Sequence, residues 1–239
     1  MNRMAELWSS LAHTPLLWLS VTLAIHQAAL WVYHRVQVAW LNPVLTSILA
    51  VVSLLLLTRT PYADYFESVQ FIHFLLGPAT VALAIPLYTR VRKLRRLLGP
   101  ILGSLVVGSL TAIASAVGLG LVFGASSPTL LSLAPKSVTT PIAMGISEKI
   151  GGIPSLTAVL VILTGIIGAV AAGGLLDFLG IKDHGVRGFA IGLASHGIGT
   201  ARAFQMDDEA GAFAGLGMGL NGILTAILVP ILVELIRRL

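Results

Sequence analysis

The chain has 239 residues, of which 56% are apolar and only 10% charged, and its mean hydropathy is +0.93. A soluble domain carries roughly 25% charged residues, so this composition excludes one and predicts an integral membrane protein. The formal charge of +5 sits in short gaps between apolar runs, a positive-inside pattern and not a nucleic-acid footprint, and the absence of cysteine excludes disulfides and thiolate metal sites.

A window of about 20 apolar residues is the length that crosses hydrocarbon as a helix. It predicts spans at 16–33, 41–58, 71–89, 99–124, 128–146, 153–176, 187–205 and 211–236. The expected fold class is an all-α polytopic integral membrane protein of seven or eight transmembrane helices, a single domain over 1–239. The first run resembles an uncleaved span more than a secretory signal, because further apolar segments follow it. The interval from Arg59 to Gln70 carries Tyr62, Tyr65 and Phe66 and reads as interfacial. Arg90–Arg96 is the strongest charge run and is expected to face the cytoplasm. Counting spans forward from it puts the 147–152 loop on the same side and the Lys182–Arg187 loop on the other. The acidic run Asp207-Asp208-Glu209 and the basic C-terminus then fit the charge rule better if 187–205 re-enters than if it crosses.

Three spans are poor ideal helices. The third holds Gly77, Pro78 and Pro86, the fifth Pro135 and Pro141, and the seventh Gly197 and Gly199. A proline removes the N–H that a carbonyl one turn back needs, and broken backbone survives in hydrocarbon only inside protein or beside a wet cavity. The fourth, sixth and eighth spans carry Gly99, Gly103, Gly108, then Gly165, Gly168, Gly173, Gly174, then Gly211, Gly215, Gly219, which predicts close packing in the bundle interior. At an offset of 57, Gly77-Pro-Ala-Thr-Val81 aligns with Ala134-Pro-Lys-Ser-Val138, a candidate internal repeat with units of about 71–124 and 128–180. Interrupted segments in corresponding places point to a transporter site.

The interrupted stretches also carry the polar chemistry. Lys136 at membrane depth is a functional residue by default, with snorkelling as the alternative. Arg202 can fork onto a carboxylate or pair with Asp207 or Asp208. Ser137, Thr139, Thr140 and Thr200, with backbone N–H groups at Gly197 and Gly199, would complete an anion site at a half-helix N-terminus. His196 can titrate near neutral pH and couple proton movement, or bond a nearby carbonyl. Asn221 either joins this network or binds a neighbouring helix. His26 and His73 read as satisfied structural groups. No spacing suits a metal, and no cofactor is expected. Lys136 beside Ser137 and Ser195 beside His196 suggest an activated hydroxyl only superficially, since adjacent helical residues diverge, so the chain is read as no enzyme.

The same residues resemble the LrgB/CidB family. The similarity is carried by Pro135-Lys-Ser-Val-Thr-Thr-Pro-Ile-Ala143, Gly151-Gly-Ile-Pro154, Gly165-Ile-Ile-Gly168, Arg187-Gly-Phe-Ala-Ile-Gly192 and Ala194-Ser-His-Gly-Ile-Gly-Thr-Ala-Arg202, and it extends back through Leu76-Gly-Pro-Ala-Thr-Val. The resemblance implies a multi-pass protein of a bacterial inner membrane and two functions of different class. One is transport of small monocarboxylate anions such as pyruvate, glycolate or glycerate. The other is antiholin-like control of murein hydrolase export, with a small holin-like partner of the LrgA/CidA type. The residues favour transport, because a pore of amphipathic spans has no need of Lys136 and Arg202 in broken segments. Lipid contact follows from composition, and glycine-rich faces make a homo-oligomer plausible.

Overall fold

The structure, a computed structural model, describes residues 15–36, 38, 41–82, 85, 88 and 91–237. The chain divides into two compact units, residues 1–82 and 83–239.

The first unit contains α1 (Pro15–Val36), α2 (Pro43–Thr58) and α3 (Tyr62–Ala82). Asn42 starts α2: its Oδ1 accepts the N–H groups of Val44 and Leu45 at 2.9 and 3.4 Å, and Pro43 follows where a missing N–H costs nothing. Trp18 and Thr22 of α1 meet Tyr65 of α3, the ring edge-on and the hydroxyls 3.1 Å apart. His26 Nδ1 lies 3.2 Å from Ser47 Oγ, which makes it a satisfied structural group; the side chain of His73 lies outside the described residues. The interruption expected at Pro78 is corrected. Helix α3 runs through an exposed Pro78 to Ala82, since one missing N–H deprives a single carbonyl of its donor and need not end the helix. Pro86 lies outside the described residues.

The second unit contains α4 (Val91–Arg96), α5 (Leu98–Val122), α6 (Ser127–Leu133), α7 (Thr140–Ile150), α8 (Pro154–Phe178), α9 (His184–Met206) and α10 (Asp208–Arg237). Among the described residues four helices are long and apolar enough to cross a membrane: Leu16–Val36, Leu98–Val122, Pro154–Phe178 and Asp208–Leu235. The chain is a multi-pass helical membrane protein.

Two of the predicted spans are hairpins: 187–205, for which the flanking charges favour re-entry, and 128–146, which was expected to cross. In α9 the backbone of His196 adopts φ 43 and ψ −135. His184 Nδ1, at the start of α9, lies 3.9 Å from Asp207 Oδ1, just past its end, where straight helix would separate the two by about 34 Å. A methyl group on Gly199 would stand 2.9 Å from the carbonyl oxygen of Ile191, so the arm after His196 folds back along the arm before it. The α6–α7 pair does the same. Ser132 O and Ser147 Oγ both lie against Thr157 Oγ1, at 3.2 and 2.7 Å, although the residues between them would span about 22 Å as helix. Segment 127–150 is therefore hairpin 1, with its tip at 134–139, and 184–206 is hairpin 2, with its tip at His196.

This corrects the order of crossings. Hairpin 1 ends at Ile150, just before α8 begins, and hairpin 2 starts at His184, just after α8 ends. The two hairpins thus enter from opposite ends of a helix about 37 Å long. Leu97 packs on the cluster of Ile101, Phe189 and Phe213, which puts the α4 end of α5 beside the base of hairpin 2. The 182–187 loop therefore lies at the same end as Val91–Arg96, and the 147–152 loop at the other, the reverse of the sequence count. Each hairpin leads into a long apolar helix, and their first residues, Ser127 and His184, are 57 positions apart. The stretches aligned in the sequence at this offset differ in backbone, since 77–81 is helix and 134–138 is a hairpin tip.

The expectation of glycine packing holds at Gly108, Gly165, Gly168 and Gly211, where a Cβ would meet Leu193, His196, Ser195 and Phe204 of hairpin 2, and is corrected at other positions. Added methyl groups at Gly99, Gly103, Gly173, Gly174 and Gly219 would meet nothing within 4 Å. Backbone approaches backbone in hairpin 2: a Cβ on Gly188 or Gly192 would collide with the carbonyl oxygens of Ala210 and Ala214. Small residues on both helices let the first arm and α10 run backbone against backbone.

Candidate functional site

Both tips meet near the middle of the long helices. Val138 of tip 1 packs in a cluster with Val161 of α8 and Val229 of α10. His196 Nε2 of tip 2 lies 2.9 Å from the carbonyl oxygen of Val161. Because a carbonyl only accepts, Nε2 carries the hydrogen. Gly165, one turn along α8, leaves room for the ring; a Cβ there would stand 2.7 Å from His196 Cε1.

Asn221, at mid-length in α10, joins the tips. Its Nδ2 donates to Ser137 O of tip 1 at 3.2 Å and to Leu193 O of hairpin 2 at 3.0 Å, while Oδ1 accepts from Ser109 Oγ of α5 at 2.6 Å and Thr225 Oγ1 at 3.3 Å. Both donors and both lone pairs are used. The carbonyl of Leu193 would in an unbroken helix serve Gly197, four residues on. Asn221 is 1% exposed, and its amide meets backbone in both hairpins at once.

Tip 1 is closed by tight turns, Lys136 N–H to Leu133 O at 3.1 Å and Val138 N–H to Pro135 O at 3.2 Å, over a buried Pro135. Lys136 is half-buried, and its Nζ lies 3.4 Å from Ser137 Oγ. The two side chains therefore touch, contrary to the divergence expected of neighbours, because the tip is a turn and not a helix. The contact is longer than the 2.6–3.2 Å of a working nucleophile and base. Thr139 is the N-cap of α7 yet makes no side-chain cap bond, and Pro141 fills an opening position of that helix. The hydroxyls of Thr139 and Thr140 make no hydrogen bond among the described residues. They stand half-exposed beside Lys136 at a half-helix N-terminus.

The remaining expected residues are placed as follows. Thr200 Oγ1 donates to His196 O at 2.8 Å and is buried, so its hydroxyl serves the tip. Gly197 is exposed at the tip, whereas Gly199 is buried where the two arms meet. Arg202 Nη1 donates to Gln205 Oε1 at 3.3 Å. Six residues, about 9 Å of helix rise, separate it from His196, so it belongs to the arm and not the tip. Pro78 belongs to the other unit. Among the described residues no cluster of His and carboxylates could hold a metal. Tip 1 offers one ammonium, two available hydroxyls and a half-helix N-terminus, a set suited to a small anion.

Several supports were not singled out in the sequence. Ser109 and Thr225 complete the Asn221 network. Ser132, Ser147 and Thr157 lock the base of hairpin 1, where the Ile153 N–H also donates to Ser132 Oγ at 2.8 Å. Their signal was a hydroxyl in an apolar helix, which is weak because such groups satisfy themselves on the preceding turn.

A model of the LrgB-like family matches residues 22–235. Among curated proteins, the uncharacterized protein YwbG of Bacillus subtilis (strain 168) is 36% identical over 90% of this chain and 96% of its own length. YxaC of the same strain, also uncharacterized, is 35% identical over 90% of this chain and 94% of its own. The holin-like protein CidB of Staphylococcus epidermidis is 31% identical over 90% and 94%. No solved structure matches the chain.

Proposed function

The chain belongs to the LrgB-like family, and we propose that this member carries small monocarboxylates, 2-oxo or 2-hydroxy acids of the pyruvate, glycolate and glycerate class, across a bilayer without converting them. One observation carries the reading: hairpins from opposite ends meet at mid-length of the long helices, and one tip holds Lys136. Lysine at such depth is costly in lipid, and interrupted helices meeting near a membrane midplane are how many secondary transporters build a site. The ammonium and the start of α7 attract the carboxylate. Thr139 and Thr140 suit the neighbouring keto or hydroxyl oxygen. Arg202, on the arm, contributes long-range attraction.

His196 holds tip 2 in this reading, since Nε2 is engaged by Val161 and a coupling proton would have to use Nδ1. The positive-inside rule puts the end bearing Val91–Arg96 and the 182–187 loop in the cytoplasm of a bacterial inner membrane, with hairpin 1 entering from outside. Alternating access then arises from movement of the hairpin region against the helices around it.

The Staphylococcus epidermidis relative is named holin-like, which favours a second reading for this chain: a holin-like or antiholin-like role, which the family resemblance extends to murein hydrolase export with a small membrane partner. Titration calorimetry on the purified full chain separates the two. Transport predicts saturable binding of pyruvate or glycolate, at least tenfold weaker in Lys136→Ala and absent for the neutral amide of the same acid. No binding of any monocarboxylate, with the small partner present or absent, favours the holin-like reading.

A further inference from the structure

Away from the tips, the second unit contains an apolar groove of about 280 Å³ between α5, the first arm of hairpin 2 and the start of α10. Its walls include Leu97, Ile101, Val186, Phe189, Leu193 and Phe213, and no cation is among its described lining residues. It is therefore no extension of the anion site. The groove opens along one side, where Ser104 and Ala190 are exposed.

Its two ends differ. One reaches Gly108 and Leu193, directly behind the carbonyl that Asn221 holds. The other begins at Leu97, the residue after Arg95 and Arg96 of α4. Arg92, Arg95 and Arg96 are exposed, and among the described residues no carboxylate pairs with them. An apolar wall facing lipid is ordinary in a membrane protein; a concave cavity whose first wall residue directly follows an exposed basic helix, with one carboxylate, Asp183, beside Gly185 of its lining, has an end that can select among headgroups. Guanidinium groups fork onto phosphate oxygens, and basic residues beside an inter-helix cavity recognise anionic headgroups.

We propose that this groove is a binding site for an anionic phospholipid, its acyl chain lying along Phe189 and Leu193 and its phosphate on Arg95 and Arg96. The chain end then packs on Leu193, so occupancy braces the first arm of hairpin 2 just below its tip. The inference does not depend on what the tips transport.

Native mass spectrometry of the full chain, purified in detergent and mixed with phosphatidylglycerol or phosphatidylcholine of equal chain length, tests it. The parent retains phosphatidylglycerol at least fivefold over phosphatidylcholine. The double variant R95Q/R96Q brings that ratio close to one. Ala190→Phe, which fills the groove, lowers retention of both lipids at least threefold. The exposed arginine pair leaves the core untouched, so its result stands even if Ala190→Phe folds poorly. Equal retention of the two lipids by the parent overturns the proposal, as does a preference that survives R95Q/R96Q.

Discussion

Asn221 shows how much a single side chain holds in this fold. Replacing it by alanine strands the carbonyls of Ser137 and Leu193 and the hydroxyl of Ser109 in an apolar interior. Each orphaned group costs about 1–3 kcal/mol, less what relaxation recovers, so Asn221→Ala is expected to destabilise the second unit by about 2–4 kcal/mol. Thermal unfolding in detergent measures this, and an unchanged melting temperature would show that the amide joins nothing. His196 makes a different demand. Its φ of 43 is strained for a residue with a side chain, and its ring is held by Val161. Gly165→Val drives a branched side chain into that ring and is expected to lower uptake at least tenfold. His196→Gln, which keeps an N–H donor, is expected to stay within about threefold of the parent, with His196→Ala much lower. Equal loss in the Gln and Ala variants would assign His196 a role that needs the imidazole itself.

At the scale of elements, the decisive feature is the fold-back of two segments that hydropathy reads as spans. A cysteine pair at His184 and Asp207, introduced into a chain that has no cysteine, is expected to cross-link with a short bifunctional thiol reagent. A straight α9 would hold the two about 34 Å apart and give no product. The sequence marked where these helices break, through Pro135, Pro141, Gly197 and Gly199, because missing N–H groups and missing side chains are local. It did not show that the chain turns back at 128–146, and for 187–205 only the charges of the flanking loops favoured re-entry. An apolar window of this length has the same composition whether it crosses once or forms two short arms, and the difference is settled by distant partners such as Thr157 and Asn221. Lys136, Ser137 and His196 were legible as polar residues in broken segments. That Thr139 and Thr140 keep their hydroxyls available while Thr200 spends its own on His196 O depends on turn geometry that spacing does not encode. Glycine content was a partial guide for a related reason: at Gly103 or Gly174 an absent side chain faces open space, whereas at Gly165 and Gly168 it admits His196 and Ser195, and at Gly188 and Gly192 the backbone of α10.

For the whole molecule, the hairpins set the topology. With both folded back, α5, α8 and α10 are the helices of the second unit, among the described residues, that are long and apolar enough to cross, and the hairpins enter from opposite ends of α8. Single cysteines at Arg92 and Lys182 are expected to react with an impermeant maleimide from one side of sealed vesicles, and those at Ser126 and Lys149 from the other. The order inferred from sequence alone predicts that positions 92 and 149 share a side, so the pattern discriminates cleanly. In the proposed transport reading, relative movement of hairpins and helices would give a substrate at the tips a route to either face, which a single fixed pore does not require.

The most direct test of that account is uptake of labelled pyruvate and glycolate into proteoliposomes, run beside release of a trapped neutral dye, for the parent and Lys136→Ala. Saturable uptake by the parent without dye release, reduced at least tenfold in Lys136→Ala while its melting temperature is kept, is the expected result. Dye release from the parent that Lys136→Ala leaves unchanged, with no saturable uptake of either acid, would contradict a carboxylate site at the hairpin tips.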